Sequence, residues 1–409
     1  MVEPWAISIA AGVFFYLPAT RESGLALAYI VSIFAGLLTA RRLAESQSNR
    51  VEITLISATD RFVFAPRLID ALSLHEDMTE KYTASLPDLA KRFGFTFAPG
   101  LVSHIDRNGR TVSVATPDAI VPYPYDLLVL AQGAMTAYYN IPGAEEYTLP
   151  LKSWDDITKI HARIQECITR ASQATTDDER RAALAFVFVG GGPSGIESAF
   201  SVKEYVEGSL KGQPTLLPFV SWTLIQGAPQ ILSGFPPNMA KGAMDELTAH
   251  GFKVHVGMSV AAVEREAVRL TNEERIPSSL TLWTAGVAAN VVPMTPEIER
   301  DGKGMMVDST LKIDAHMFAA GDAISFRDKQ LLLPKNAQTA MQMANSLSKN
   351  LMRELDNQPL VPFRFHNFGS IITLGTTGYL NVGRFALKFP LALQLRDLFY
   401  RYRMHQIVG

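Results

Sequence analysis

Six apolar residues, Leu184-Ala185-Phe186-Val187-Phe188-Val189, run straight into Gly190-Gly191-Gly192-Pro193-Ser194-Gly195, and a helix-compatible stretch from Ile196 to Val206 follows. Strand, glycine turn and helix in that order constrain the fold more than any other feature of the chain. The G-x-G-x-x-G spacing gives Gly190 to a tight turn, lets the backbone at Gly192 approach a pyrophosphate, and lets helix pack on strand at Gly195. The helix N-terminus then favours the anion. A glycine-rich turn that holds no ligand is the bland alternative.

The next strand, Trp222-Thr223-Leu224-Ile225, ends at Gln226. An acid at this position binds the ribose 2′-hydroxyl of NAD and repels a 2′-phosphate, whereas a neutral amide does not repel it. Gln226 therefore tilts the expectation from strict NADH use towards NADPH or both, although no arginine stands beside it to clamp a phosphate.

Other apolar runs have the same punctuation. Val51 to Ile56 is a β-branched strand, and Tyr125 to Leu130 ends in Ala131-Gln132-Gly133. Thr281-Leu282-Trp283 precedes Ala285-Gly286, and Met317 to Ala320 precedes Gly321-Asp322. Helical stretches are expected between them, for example over 153–175 and 336–353. This alternation predicts parallel α/β sheets. A weak repeat, strand-turn-helix at 27–45 and again at 184–205, predicts two dinucleotide-binding units. The first unit is damaged. Aligned on Phe34-Ala35-Gly36, its glycine slots hold Val31, Ile33 and Gly36, and the acidic position after its second strand holds Ser57, with Asp60 beyond it. A β-branched residue in the second slot puts a side chain where pyrophosphate should sit. A polar stretch, Ser172 to Arg181, reads as a break between the halves.

Composition supports a folded, multidomain chain. The 409 residues are 47% apolar and 19% charged, enough apolar surface to offset ordering entropy. Lys+Arg of 38 against Asp+Glu of 40 leaves no basic excess, which argues against a dedicated nucleic-acid binder. The single cysteine, Cys167, can form neither an intrachain disulfide nor a Cys-rich zinc site, and it reads as a small core residue in a reducing compartment. Residues 4–20 and 23–40 are both uncharged, separated by Arg21 and Glu22. Each is at or below the length of a membrane-spanning helix. Residues 24–45 read better as strand and helix, and residues 1–22 stay open between an extra helix, an anchor and an over-extended start.

From about residue 34 onward the chain resembles the type II NADH dehydrogenases, single-subunit flavoproteins. Phe34-Ala35-Gly36-Leu37, Tyr125 to Ala134, Ile141-Pro142-Gly143, Leu149-Pro150-Leu151-Lys152, the Gly190–Gly195 cluster with Glu197, Leu282 to Val287, Phe318-Ala319-Ala320-Gly321-Asp322-Ala323 and Ala337-Gln338-Thr339-Ala340-Met341-Gln342 stand in that family's order. The resemblance implies two Rossmann-like domains: a discontinuous FAD-binding domain at 24–150 and 296–360, and an NAD(P)-binding domain at 151–295. A C-terminal membrane and quinone element at 361–409 would follow, with the apolar segment 1–23 unassigned. It implies hydride transfer from NAD(P)H to FAD and onward reduction of a quinone in a respiratory chain. The protein would sit peripherally on the cytoplasmic side of the cell or inner membrane, and the resemblance implies a homodimer as an expectation.

Under the same resemblance Glu197 sits beside the nicotinamide, Ala337 binds the cofactor at the start of a segment near the flavin ring, and Gln338 and Gln342, four apart on one helix face, contact the quinone head. Read without it, Glu197 is a helix N-terminal carboxylate favoured by the dipole. Asp322 would hydrogen-bond the FAD ribityl or phosphate side, with Gly36, Gly133, Gly286 and Gly321 at the cofactor turns. Departures are the lost glycines, Ser57, Ser201 and Gln226. The tail from Phe385 to Arg403 mixes apolar and mostly basic residues and can lie in a headgroup plane or, alternatively, pack as a core or dimer helix. A second class of reading remains: a flavin-less, NADP(H)-binding sensor or assembly subunit, argued by Val31, Ile33 and Ser57.

Overall fold

The computed structural model describes residues 13–15, 25–31, 35–47, 50–75, 78–329, 331–383 and 385–409. Two sheets organise it. The first runs, in spatial order, Met317–Ala319, Leu127–Leu130, Leu25–Val31, Val13–Phe15, Val51–Ser57 and Thr96–Pro99. All its pairings are parallel except those of Val13–Phe15, which enters antiparallel and sets Val13 opposite both Val31 and Ser57. The strand expected at 27–31 is therefore present, with Leu27 beside Leu127, and the helix Ala35–Gln47 follows it. Among the described residues no helix is long and apolar enough to cross a membrane. Ile33 lies outside the described residues, as does most of 1–22.

The second sheet is wholly parallel, in the order Phe252–Val256, Ser221–Gln226, Ala185–Val189, Leu280–Trp283. Its apolar strands are covered by helices because each helix offers one apolar stripe. In Trp154–Gln173 that stripe is Ile157, Ile160, Ile164, Cys167, Ile168 and Ala171, and a capping box between Ser153 and Asp156 starts the helix. Cys167 is fully buried, as a core residue should be. The polar stretch after Ser172 is not simply a break. Thr176 and Glu179 form a second capping box, and Asp177–Ala183 is helical. Polar composition hid a helix whose N-terminal donors are satisfied by its own side chains.

A two-stranded ladder joins the sheets. Ala134–Thr136 follows the carboxyl end of Leu127–Leu130, Val287–Ala289 follows that of Leu280–Trp283, and the two pair antiparallel. The carboxyl edges of both sheets are thus drawn to one place. The chain then returns to the first sheet at Met317–Ala319 and continues into the helix Ala337–Leu355. Strands Ser370–Leu374, Thr377–Val382 and Phe385–Lys388 form a meander, and a final helix spans Ala392–Val408 just beyond Pro390. Ile372, Leu374, Tyr379 and Ala386 bury the meander against the core of the second sheet.

Candidate active site

The turn after Ala185–Val189 has the shape its glycines predicted. Gly190 has φ +116°, and a Cβ there would lie 2.7 Å from the Thr284 backbone. A Cβ on Gly195 would strike the Gly190 carbonyl. A Cβ on Gly192 would meet nothing within 4 Å. Two of the glycines are thus required by packing, while Gly192 faces open space at the start of helix Pro193–Ser209, which has no side-chain cap. That is the arrangement an anion at a helix N-terminus needs. Thr284 donates through Oγ1 to the Val189 carbonyl at 3.0 Å and fixes one flank of the turn.

Gln226 fixes the other flank. Its Oε1 accepts from the Gly191 N–H at 2.8 Å and its Nε2 donates to the Gln230 carbonyl at 3.3 Å. The amide expected to face a ribose thus also braces the glycine turn, a role its position in the sequence did not signal.

At the first sheet, Gly36 is buried at the second position of helix Ala35–Gln47. Gly133 and Gly321 have φ of +70° and +76°, as sharp turns off strand ends require. The Gln132 Oε1 and the Thr339 Oγ1 are buried without a hydrogen-bond partner among the described residues. Asp322 lies near Lys152 and Lys335; burial pushes its carboxyl up and the two ammonium groups pull it down. Desolvation in turn lowers Lys152 and Lys335, with Asp322 opposing in each case. Lys335 also donates to the carbonyls of Asp322 and Ile324. Buried polar atoms left unsatisfied call for a polar ligand or water. Turns, orphaned acceptors and flanking cations fit a bound dinucleotide with a flavin. Of the damaged first fingerprint, Ile33 lies outside the described residues and Val31 is the last residue of strand Leu25–Val31. Ser57 is fully buried and its Oγ accepts from the Thr59 N–H at 3.1 Å.

Glu197 sits at the centre of a buried polar cluster. Its Oε1 accepts from the Thr373 N–H and Oγ1, both at 2.8 Å, and from Arg396 Nη1 at 2.9 Å. Arg396 also reaches Asp70; Asp70 pairs with Arg67 at 2.9 Å, and Arg67 with Asp397 at 2.7 Å. Burial pushes the Glu197 carboxyl above its ordinary range, against the pull of Arg396 and Thr373. These residues line a cavity of about 460 Å³ together with Ser201, Glu204 and Phe200. Glu197 lies beyond the first turn of helix Pro193–Ser209, so the helix dipole is not its main partner; through Arg396 it ties that helix to the C-terminal helix. Sequence reasoning missed Arg396 and Asp70.

Gln338 and Gln342 do share a face. Gln338 donates to the Gly369 carbonyl at 3.0 Å and accepts from Phe368 N–H at 3.0 Å. Gln342 makes the same pair of bonds to His366, at 2.8 and 2.9 Å. Both amides are engaged in holding segment 366–369. Ala337 opens their helix behind the cap Asn336, whose side chain accepts from Thr339 N–H at 2.9 Å.

The C-terminal helix buries one charged residue and exposes several apolar ones. Arg396 is buried with Ala392 and Ile407, while Leu391, Leu395, Leu398, Phe399 and Tyr402 are exposed. Phe385 and Leu387 of the adjoining strand are exposed beside them in sequence.

The sequence profile of the pyridine nucleotide-disulphide oxidoreductases matches residues 32–344, and the chain belongs to that family. It is 28% identical over 382 residues to the demethylphylloquinone reductase NdbB of Synechocystis sp., covering 90% of each chain. It is 29% identical to the type II NADH:quinone oxidoreductase NdhA of Mycobacterium tuberculosis, over 84% of this chain and 76% of that one. Its fold superposes on NDH2 from Plasmodium falciparum in complex with NADH with a TM-score of 0.79 at 18% identity, covering 90% of this chain and 94% of that one. The resemblance read from the motifs is borne out.

Proposed function

We propose that the protein oxidises NAD(P)H and reduces a quinone: NAD(P)H, a proton and a quinone give NAD(P)⁺ and a quinol. The observation that carries this is the ladder between 134–136 and 287–289, which brings two glycine-turned sheet edges together. A pyridine nucleotide at one edge and a flavin at the other can then meet. FAD bound at Gly36, Gly133, Gly321 and Asp322 supplies the ability to accept a hydride and to release electrons onward. The chain's own residues do the rest. Gly190, Gly192 and Gly195 seat the pyrophosphate, and Gln226 holds the turn open while leaving a ribose edge without negative charge. Glu197 lines the adjoining cavity and burial pushes its carboxyl above its ordinary range, so it is the group placed to exchange a proton there. Gln338 and Gln342 position the 366–369 segment, and each amide keeps a second N–H and a second carbonyl lone pair beyond its two backbone bonds with which to meet a quinone.

The same reading places the exposed apolar row of the last helix on a membrane surface, with Arg401, Arg403 and Lys388 near the headgroups. Purification in mild detergent tests the whole. A yellow protein that reduces menadione with NADH or NADPH supports it. A colourless protein that binds NADP(H) and, with FAD added, leaves menadione oxidised supports the sensor or assembly reading.

A further inference from the structure

Residues 138–141 form a tight turn at the junction of the sheets. The Ile141 N–H donates to the Tyr138 carbonyl at 3.0 Å, and the two central residues, Tyr139 and Asn140, both have φ of +54°. Turns with two consecutive left-handed residues belong to Asn and Gly. Asn140 suits its place. Tyr139 does not: a bulky side chain at positive φ is an outlier, and such outliers mark places where a strained backbone serves something other than folding. Burial does not explain the residue either, because Tyr139 is 62% exposed.

What Tyr139 does touch is specific. Its hydroxyl donates to the Ala285 carbonyl at 3.3 Å. A Cβ on Gly286 would strike that hydroxyl, so in this arrangement the ring tip lies directly against the Gly286 backbone. Ala285 and Gly286 follow the carboxyl end of Leu280–Trp283. In the order 252–256, 221–226, 185–189, 280–283, the chain reverses direction across the sheet between the last two strands. Ligands of open parallel sheets lie in the crevice at that reversal. The glycine turn is bounded by Gln226 on one side and Thr284 on the other. A dinucleotide laid across it puts its adenosine ribose on the Gln226 side and its other half on the side of Thr284, Ala285 and Gly286, where Tyr139 stands.

We infer that Tyr139 is a positioning residue for the nicotinamide-bearing half of the dinucleotide, an aromatic wall held at the crevice by Ala285 and Gly286. The inference rests on the nucleotide reading of the Gly190–Gly195 turn. Equilibrium titration of the full-length, FAD-loaded protein with NAD⁺ and with ADP-ribose, which lacks the nicotinamide, tests it without turnover. Tyr139→Gly weakens NAD⁺ by about tenfold, the scale of losing one ring stack, while ADP-ribose stays within about twofold. Its melting temperature does not fall, because glycine takes φ of +54° freely. Tyr139→Phe keeps the ring and keeps NAD⁺ affinity within about threefold. Equal weakening of both ligands, or no change in either, overturns the inference. A wild-type protein that binds neither ligand refutes the turn's nucleotide reading, and Tyr139's role with it; one that binds both but reduces no quinone leaves Tyr139 standing.

Discussion

Replacing Arg396 by Met keeps most of the side chain's bulk and removes its charge. The guanidinium now serves Glu197 at 2.9 Å, the Thr373 hydroxyl at 2.5 Å and Asp70, all in a largely buried setting. Taking Arg396 from the cluster leaves Asp70 its partner Arg67 but strands Glu197 desolvated without a counter-charge, which costs about 3–5 kcal/mol. The loss falls first on the C-terminal helix, since Arg396 is its main polar tie to Glu197. Hydrogen exchange over 392–408 should therefore accelerate by roughly two to four decades relative to the wild type. The effect depends on pH with a definite sign. Without Arg396, burial raises the folded-state Glu197 carboxyl further above its unfolded value. A folded state that binds the proton more tightly is favoured in acid and loses that support as pH rises through the raised value. The defect is thus smaller near about pH 5.5 than near about pH 8. Adding Glu197→Gln to Arg396→Met removes the stranded charge and restores part of the protection. Equal exchange in wild type and Arg396→Met at both pH values refutes the reasoning, as does a double variant whose penalty is the full sum of the single ones.

Gly192→Ala should melt with the wild type yet lose NAD(P)H affinity, because its Cβ enters only the open space over the turn; Gly195→Ala should be unstable before any ligand is added, because its Cβ meets the Gly190 carbonyl. Thermal denaturation beside nucleotide titration separates the two. Gln226→Glu retains an acceptor for the Gly191 N–H and adds a negative charge, so the NADH over NADPH preference in kcat/KM should rise by about tenfold or more. His161, lowered by burial against the pull of its bond to the Leu72 carbonyl, binds its proton less well folded than unfolded. Stability from keeping it neutral is intact above its unfolded value near about 6.5 and declines as pH falls below that. His161→Gln should flatten that part of a melting-temperature profile. Leu395→Glu with Leu398→Glu, both on the exposed apolar row, should abolish flotation with anionic vesicles while leaving soluble menadione reduction unchanged.

Local chemistry made much of this molecule legible. The Gly190–Gly195 turn could be read because strand, turn and helix are contiguous, and Gly190 and Gly195 answer constraints within a few residues or from the neighbouring strand. The strand at Leu25–Val31 was legible for the same reason, as a short apolar run before a helix. The helix at Asp177–Ala183 is announced only by the S/T-x-x-E pattern at Thr176 and Glu179, because the polar composition of 172–181 carries no apolar stripe. What was not legible is non-local. Arg396 meets Glu197 across 199 positions, and nothing in Leu395-Arg396-Asp397 marks the arginine as the buried member. Gln226 was assigned by strand position, whereas its rotamer is decided by the Gly191 N–H. Gln338 and Gln342 showed their common face but not the backbone that occupies it.

The order of pairing in the first sheet has a consequence for synthesis. Leu127–Leu130 has Met317–Ala319 as its outer neighbour, and everything between is made first. At ribosomal rates of about 5–20 residues per second, that strand waits roughly 10 to 40 s for its partner. Ala185–Val189, Ser221–Gln226, Phe252–Val256 and Leu280–Trp283 all emerge during the delay. The later-encoded sheet can therefore close while the earlier one still has an open flank, and nascent chains halted before residue 317 should expose Leu128 and Val129 to chaperones.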